Sequence, residues 1–530
     1  MTAVLSGIAR GFNRWRLVFL LFLLVYAAIL LLYLDYAPIR WDETPHLLGG
    51  LFLSRGQLQA YTQTYLFYPP LFDFTTALYY LIIGSSVFSA RLVALTFGIL
   101  SVWIIFEYTY RLYGPRNAIL SSILLASMPG FIILCRMALI ETMLVFFFSI
   151  SLFLFFFWMR TNNDKMLLLS GVTLGLGFIV KYQILVAGIV MLISGFFMWR
   201  KHIRKKIGKF VIMAIIAGAV VLPWFFLAYQ QHASANLGTW FYAIQVGSEE
   251  RTFYSEQFFL PLFYLKEMTY PYMDIHPISL PLYILAFLGL GFWLWRRKPE
   301  DKFFLIWFFV VYSVFTIIPN KNWRYVTPVF PILAVSASDF ILFIWDKVKD
   351  GLKAYRNSLH RISVLKVVVT AVFVLLIGAS LVHSWGDAYY WVEKDHVYIP
   401  LTEASRYVSE NSAVNESVAV LFTGNYFSTD MVKFYLQTYD SDERELWTYP
   451  ENPADAYKPT FNETLLIERC DASNVKYLLL YEHHDVTYFE SDEKSYDVLD
   501  MMLNSGSFSK ETEFGNYPRR IFIIRFLSNS

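Results

Sequence analysis

The chain of 530 residues is 56% hydrophobic and 19% aromatic, with only 16% charged residues, a balance that a water-soluble domain of this length cannot hide in one core. It reads as a membrane protein. A net charge of +2 without a basic arm or stripe excludes a nucleic-acid binder, and two cysteines, Cys135 and Cys470, supply neither a disulfide framework nor a Cys/His metal cluster.

Residues 1–16 carry Arg10, Arg14 and Arg16 ahead of an apolar stretch running to Leu34. No small-residue cleavage site ends it, so it reads as an uncleaved first span. A bilayer core about 30 Å thick takes roughly 20 apolar residues of helix. By that length, eleven spans fall near 16–34, 92–112, 118–134, 140–158, 166–180, 183–199, 208–229, 279–295, 303–318, 327–345 and 365–384. Residues 71–84, "LFDFTTALYYLIIG", are short, interrupted by Asp73 and introduced by Pro69-Pro70, and suit an interfacial or partly re-entrant helix better. With no crossing there, the basic clusters at 111–116, 200–206, 296–302 and 346–361 share the side of the N-terminal arginines, as the positive-inside rule wants. The N-terminus is then cytoplasmic, and residues 35–91, 135–139, 181–182, 230–278, 319–326 and everything after 385 are extracytoplasmic.

The expected fold class is a polytopic α-helical membrane protein with a C-terminal soluble α/β domain. Residues 1–384 form the transmembrane module, with juxtamembrane helices in the outer loop 35–91, and 385–530 the extracytoplasmic domain, where charged and polar residues become frequent. There "SVAVLFTG", "ELWTY", "VKYLLLYE" and "RRIFIIRFL" read as strands, and "TDMVKFYLQTYD", "ETLLIERC" and "SYDVLDMMLNSG" carry helical spacing. Asn-x-Ser/Thr sequons at Asn415 and Asn462 are compatible with an external location.

The polar residues of the expected outer side cluster at breaks between the apolar runs. In "YLDYAPIRWDETPHLLGG", 33–50, Asp42 and Glu43 follow the first span, and Pro45 suits the first turn of a helix, which puts Asp42 at or near the N-cap with His46 four residues on. A capping aspartate with a membrane-surface histidine is the plain alternative. The tight turn "CRMALIETM" strands Arg136 and Glu141 near the membrane surface, where ions are expensive without partners or work; mutual neutralisation would be enough. Residues 166–199 form one apolar run interrupted only by "KYQ" at 181–183. As a single helix it would be about 51 Å long, so it must fold back near Lys181, whose simplest role is to snorkel to the interface. "PNKNWRYVTP", 319–328, delivers Lys321 and Arg324 to the same face. Acids can deprotonate an acceptor hydroxyl or hold a metal, and cations can neutralise a departing phosphate.

At these residues the chain resembles the GT-C membrane glycosyltransferases of the protein O-mannosyltransferase and aminoarabinose-transferase type. The resemblance is carried by "RWDETPHLLGG" (40–50), "YPPLFDF" with the later "SARL" (68–92), "RMALIETMLVFFF" (136–148), "GLGFIVKYQIL" (175–185) and "NKNWRYVTPVFP" (320–331), in that order over roughly the first 345 residues. It implies a GT-C-type bundle that transfers one sugar, with inversion, from a polyprenyl-phosphate donor to a lipid, glycan or protein acceptor at the outer face. It also implies Asp42 as the base, with Glu43 and Glu141 beside it in the catalytic set. Lys181, Arg324, Arg136 and Lys321 would bind the lipid phosphate, and His46, Tyr68, Tyr182 and Tyr325 the sugar or acceptor. A divalent metal, if one is used, would draw on Asp42, His46 and Glu141. Two departures stand out: Tyr68 replaces the lysine that aminoarabinose transferases carry before the Pro-Pro element, and the repeated-loop insert of eukaryotic protein mannosyltransferases is missing, which counts against a protein acceptor. The alternative from another class is a transporter or flippase of lipid-linked sugars, whose signature of inverted repeats with broken helices the sequence does not show.

Overall fold

The computed structural model describes residues 14–64, 69–245, 262–269, 276–318, 321–354, 399–421, 427–440, 442–449, 461–482, 495–517 and 519–527, with scattered positions between 368 and 386. The chain forms two compact units whose segments interleave. One comprises Met1–Leu32, Leu58–Phe72 and Arg91–Trp391, the other Tyr33–Gln57, Asp73–Ala90 and Val392–Ser530. The early segment that carries Asp42 thus groups with the C-terminal sheet.

In chain order the first helices are α1 (Arg14–Leu31), α2 (Thr44–Ser54), α3 (Leu58–Thr64), α4 (Leu71–Ile83), α5 (Val87–Tyr113), α6 (Pro115–Ala126) and α7 (Pro129–Cys135). There follow α8 (Glu141–Thr161), α9 (Asp164–Phe178), α10 (Leu185–Gln245), α11 (Phe263–Glu267), α12 (Leu280–Arg296), α13 (Pro299–Ile317) and α14 (Phe330–Ala354). Proline opens several of them in the first turn, α2, α6, α7, α12 and α13 among them, where its missing N–H has no intrahelical partner to lose. Between α8 and α9 the reversal is made by two asparagines. Asn162 takes the left-handed conformation (φ 57°), and Asn163 caps α9 by accepting from the Lys165 N–H at 3.1 Å.

Six helices among the described residues are long and apolar enough to cross a bilayer, or seven if α6 and α7, bent by 72°, are one broken span. The expected eleven are not confirmed. Segments 166–180 and 279–295 form α9 and α12, helices of 15 and 17 residues; at 1.5 Å per residue these reach only about 23–26 Å. Segment 303–318 lies in α13, which opens on Glu300 and Asp301, and most of 365–384 lies outside the described residues. The break in the long apolar run is where its length demanded it. α9 stops at Phe178, a 3-10 turn spans Tyr182–Ile184, and α10 starts at Leu185. Glycines then let α9 lie close on α10: a Cβ at Gly171 or Gly175 would meet the carbonyl oxygen of Met213 at 2.8 Å or of Ala217 at 2.7 Å. Small residues at such spacing are what close helix packing in a bilayer requires. The short helix α4, with 13 residues, cannot span. It buries Phe72, Asp73, Ala77 and Tyr80 and exposes Phe74, Leu78, Leu81 and Ile82, an apolar outer face suited to the membrane surface.

The sheet-bearing unit continues with α15 (Leu401–Asn411), β1 (Ser417–Leu421), α16 (Thr429–Tyr439), β2 (Leu446–Tyr449), α17 (Glu463–Ala472), β3 (Val475–Tyr481), α18 (Ser495–Asn504), β4 (Phe508–Phe514) and β5 (Ile521–Phe526). The strand order is β2-β1-β3-β5-β4. β2, β1 and β3 are parallel, joined through α16 and α17, and β5 runs antiparallel to β3 and β4. β1 is buried at every position, as a parallel strand covered on both faces must be. Ala419, Leu421, Leu478, Leu480, Phe522 and Ile524 pack with Leu466, Cys470, Val498 and Met502 of the flanking helices.

The tightest helix contact yields a test. A Cβ on Gly289 of α12 would sit 2.2 Å from the Ser336 carbonyl oxygen of α14. Backbone cannot yield as a side-chain tip can, so Gly289→Ala is expected to cost about 1–3 kcal/mol, measured as a lower thermal midpoint of the purified protein in detergent.

Candidate active site

Asp42 lies in a 3-10 turn, Trp41–Glu43, that runs straight into α2, because Glu43 at the junction keeps right-handed helical angles (φ −81°, ψ −32°). The N-cap of α2 is therefore Glu43 and not Asp42, and its side chain makes no capping bond. Instead Glu43 is fully buried and turns back, Oε2 accepting from the Arg40 N–H at 3.0 Å, whereas Asp42 is exposed. His46, in the first turn of α2, places Nδ1 2.8 Å from Oδ1 of Asp73 on α4, a carboxylate that is 2% exposed. Two turns on along α4, Tyr80 is buried, and its hydroxyl has no hydrogen-bond partner among the described residues. Burial first, then the Asp73 and Glu43 carboxylates, pushes that phenol well above its ordinary range.

In the helical unit the side chains from three breaks in the spans meet. Glu141, the first residue of α8, is buried, and its Oε1 accepts from Lys181 Nζ at 3.0 Å with Arg324 Nη1 at 3.9 Å. Lys181 arrives from the fold-back between α9 and α10. Arg324 arrives from the 3-10 turn Trp323–Val329, which Asn322 caps by accepting from the Arg324 N–H at 3.0 Å. Tyr325 of the same turn lies under the Lys181 ammonium, 5.6 Å from ring centroid to Nζ. Oε2 of Glu141 is buried and finds no hydrogen-bond partner among the described residues, the kind of orphan that marks functional sites. Tyr182 stands beside Lys181 in sequence and packs on Phe178 and Trp224.

Two of the expected phosphate-binding cations bond to helix-end carbonyls. Arg136 donates from Nη1 to the carbonyl oxygens of Leu30 and Leu32 at 2.8 and 2.9 Å, so it closes the C-terminal end of α1 and does not pair with Glu141. Lys321 donates to the carbonyl oxygens of Phe315, at 2.8 Å, Thr316 and Ile318, the last of α13. Cations at the negative end of a helix dipole are favourable. Burial pulls the Lys321 amine down to about 8, while the three carbonyls favour its charged form.

Tyr68 lies outside the described residues. No group of three or more His, Cys, Asp or Glu side chains able to hold a metal occurs among the described residues; of the candidate ligands, Asp42 and His46 belong to one unit and Glu141 to the other. The residue that sequence reasoning missed is Asp73, taken only as an interruption of an apolar stretch. An aspartate inside an otherwise apolar helix, two turns before a tyrosine, was the available signal.

Known proteins can now be set beside this geometry. Residues 68–227 match the family model of dolichyl-phosphate-mannose-protein mannosyltransferase. The fold superposes on the crystal structure of ArnT from Cupriavidus metallidurans in the apo state with a TM-score of 0.62 at 14% identity, covering 96% of this chain and 97% of that one. ArnT bound to undecaprenyl phosphate aligns with a TM-score of 0.58 at 15% identity over 96% and 98%. The fold is similar to that of the GT-C glycosyltransferases. The oligosaccharyltransferase of Archaeoglobus fulgidus shares it, at a TM-score of 0.52 and 14% identity over 87% of this chain and 69% of that one. Two uncharacterized proteins of Aquifex aeolicus are 25% and 26% identical over 280 and 275 residues, 52% and 50% of this chain. The chain spans about half the length of these curated relatives, 52% and 58%. The shared fold and the several long apolar helices make a multi-pass membrane location the coarse reading of this chain.

The capping cations separate experimentally from the Glu141 cluster. Lys321→Met leaves three helix-end carbonyls without their donor and is expected to lower stability by about 1–2 kcal/mol, read from the thermal midpoint, with no effect on the affinity for polyprenyl phosphate in a binding titration.

Proposed function

We propose that the protein is an integral membrane glycosyltransferase that moves one sugar from a polyprenyl-phosphate donor to an acceptor on the extracytoplasmic face, with inversion. The observation that carries this reading is the meeting of Lys181 and Arg324 on buried Glu141, at a break in the spans, within a fold shared with ArnT, whose undecaprenyl phosphate complex is known. The phosphate of a lipid-linked donor is the anion such a pair suits: Lys181 supplies a point charge and Arg324 a fork of donors. Glu141 holds both cations in place and offsets their charge until the phosphate arrives.

In the reaction the acceptor oxygen attacks the anomeric carbon from the side opposite the lipid phosphate. The new C–O bond forms as the old one to phosphate breaks, the acceptor proton passes to the Asp42 carboxylate, and the bond electrons leave with the phosphate, whose growing charge Lys181 and Arg324 stabilise. A single displacement inverts the anomeric centre. Asp42 suits the base because it is exposed, unlike its buried neighbour Glu43. His46, Tyr182 and Tyr325 would shape the sugar and acceptor side. A divalent cation, if one takes part, would draw on Asp42 and His46, which share one helix start. The N-terminus is assigned to the cytoplasm and the sheet to the outer side.

Purified protein incubated with a panel of radiolabelled polyprenyl-phosphate sugars should transfer label from one of them to a lipid or glycan acceptor. Asp42→Asn should slow that transfer by about 10²–10⁴-fold, the usual contribution of a general base; equal rates would remove Asp42 from the chemistry. Lys181→Ala and Arg324→Ala should each weaken donor binding about tenfold, or about 1.4 kcal/mol, and unchanged affinity in both would sink the phosphate assignment.

A further inference from the structure

The helix that begins at the Asp42 turn does not end free. α2 has 11 residues, about 16 Å of helix, and buries Leu47, Leu48, Leu51 and Phe52. On one flank it is pressed against α4, where a Cβ on Gly50 would come 2.5 Å from Cγ2 of Thr76. On another it meets α16 of the C-terminal sheet fold. The Lys433 ammonium of α16 lies over the Phe52 ring at 5.5 Å. Arg55, the residue that ends α2, donates to the carbonyl oxygens of Gln437 and, at 3.5 Å, Asp440, at the negative end of the α16 dipole. α16 is itself anchored. Asp440 accepts from Ser409 of α15 and from Nε of buried Arg444 at 3.0 Å, and Arg444 donates onward to the carbonyl oxygens of Ala413 and Glu416 at the start of β1.

We propose that the C-terminal α/β fold positions the candidate base: Arg55 and Lys433 hold the far end of α2, and the stiff helix passes that constraint to the turn bearing Asp42. The inference rests on the reading of Asp42 as the base. Arg55 and Lys433 are positioning residues, since they act through α2. The expected size is set by the sensitivity of oriented reactions, in which a misplacement of about 1 Å can cost about 10²-fold.

The test uses full-length protein in detergent, comparing wild type with Arg55→Ala, Arg55→Lys and Lys433→Gln. It reads kcat, the donor KM, the thermal midpoint and backbone hydrogen exchange over residues 44–54. Arg55→Ala should lower kcat about tenfold, leave the donor KM within about twofold, and speed exchange over 44–54 at an unchanged thermal midpoint. Arg55→Lys, which keeps a cation at the end of α16, should restore most of kcat. Should Arg55→Ala not fold, Lys433→Gln gives the same reading with a smaller change. Wild-type kcat and exchange in both Arg55→Ala and Lys433→Gln would overturn the proposal, and so would a fall in kcat without faster exchange, because the effect would then not run through α2. If the wild type transfers no sugar, the functional reading fails by itself, while exchange over 44–54 still decides whether the α/β fold constrains this helix.

Discussion

A charge withdrawn from water must be met by an opposite charge or a donor, since the penalty for leaving it alone is several kcal/mol. That constraint organises both units. Asp339 on α14 accepts from Trp293 Nε1 of α12 at 2.7 Å and from Asn117 Nδ2 of α6 at 3.1 Å, and it pairs with Arg296, whose guanidinium also grips Asp301 at 2.7 and 2.8 Å. One carboxylate thereby ties three helices, and a second, Asp301, ties in Tyr113 of α5 at 2.9 Å. Glu141 does the same for the breaks before α8 and α10 and before α14, and Asp73 for α2 and α4. Apolar packing alone would let these helices slide; the paired ions fix their register.

Much of this was legible because some constraints are local. The fold-back at Lys181 follows from a helix too long for any bilayer, and the shortness of α4 from an apolar run that is itself short. The parallel strands β1 and β3 announced themselves as apolar runs because both their faces are covered. β4, "FSKETEF", did not, since after Phe508 it is an edge strand carrying charges, the composition that protects an edge from further pairing. α12 and α13 read as ordinary spans although their lengths and flanking charges set them apart.

The candidate site was legible in type and less so in role. The sequence shows that a cation sits at a break between apolar runs, but not whether a helix end is waiting for it. The carbonyls of Leu30 and Leu32, and those of Phe315, Thr316 and Ile318, belong to residues whose side chains give no sign of an acceptor, yet they take up Arg136 and Lys321. Lys181 and Arg324 meet a carboxylate instead, and that difference separates them from the other two. Asp73 went unread for the opposite reason. Its partner His46 stands 27 positions earlier, and no periodicity links them.

The interleaving of the two units has a consequence for biogenesis. α2 leaves the ribosome early, but α16, which closes over Phe52, follows roughly 375 residues later, from Ser54 to Thr429, or about 20–75 s at about 5–20 residues per second. Throughout that interval the α16 residue that lies over Phe52, Lys433, has not been made. The helix that follows the turn at Asp42 therefore gains this packing partner only late in synthesis.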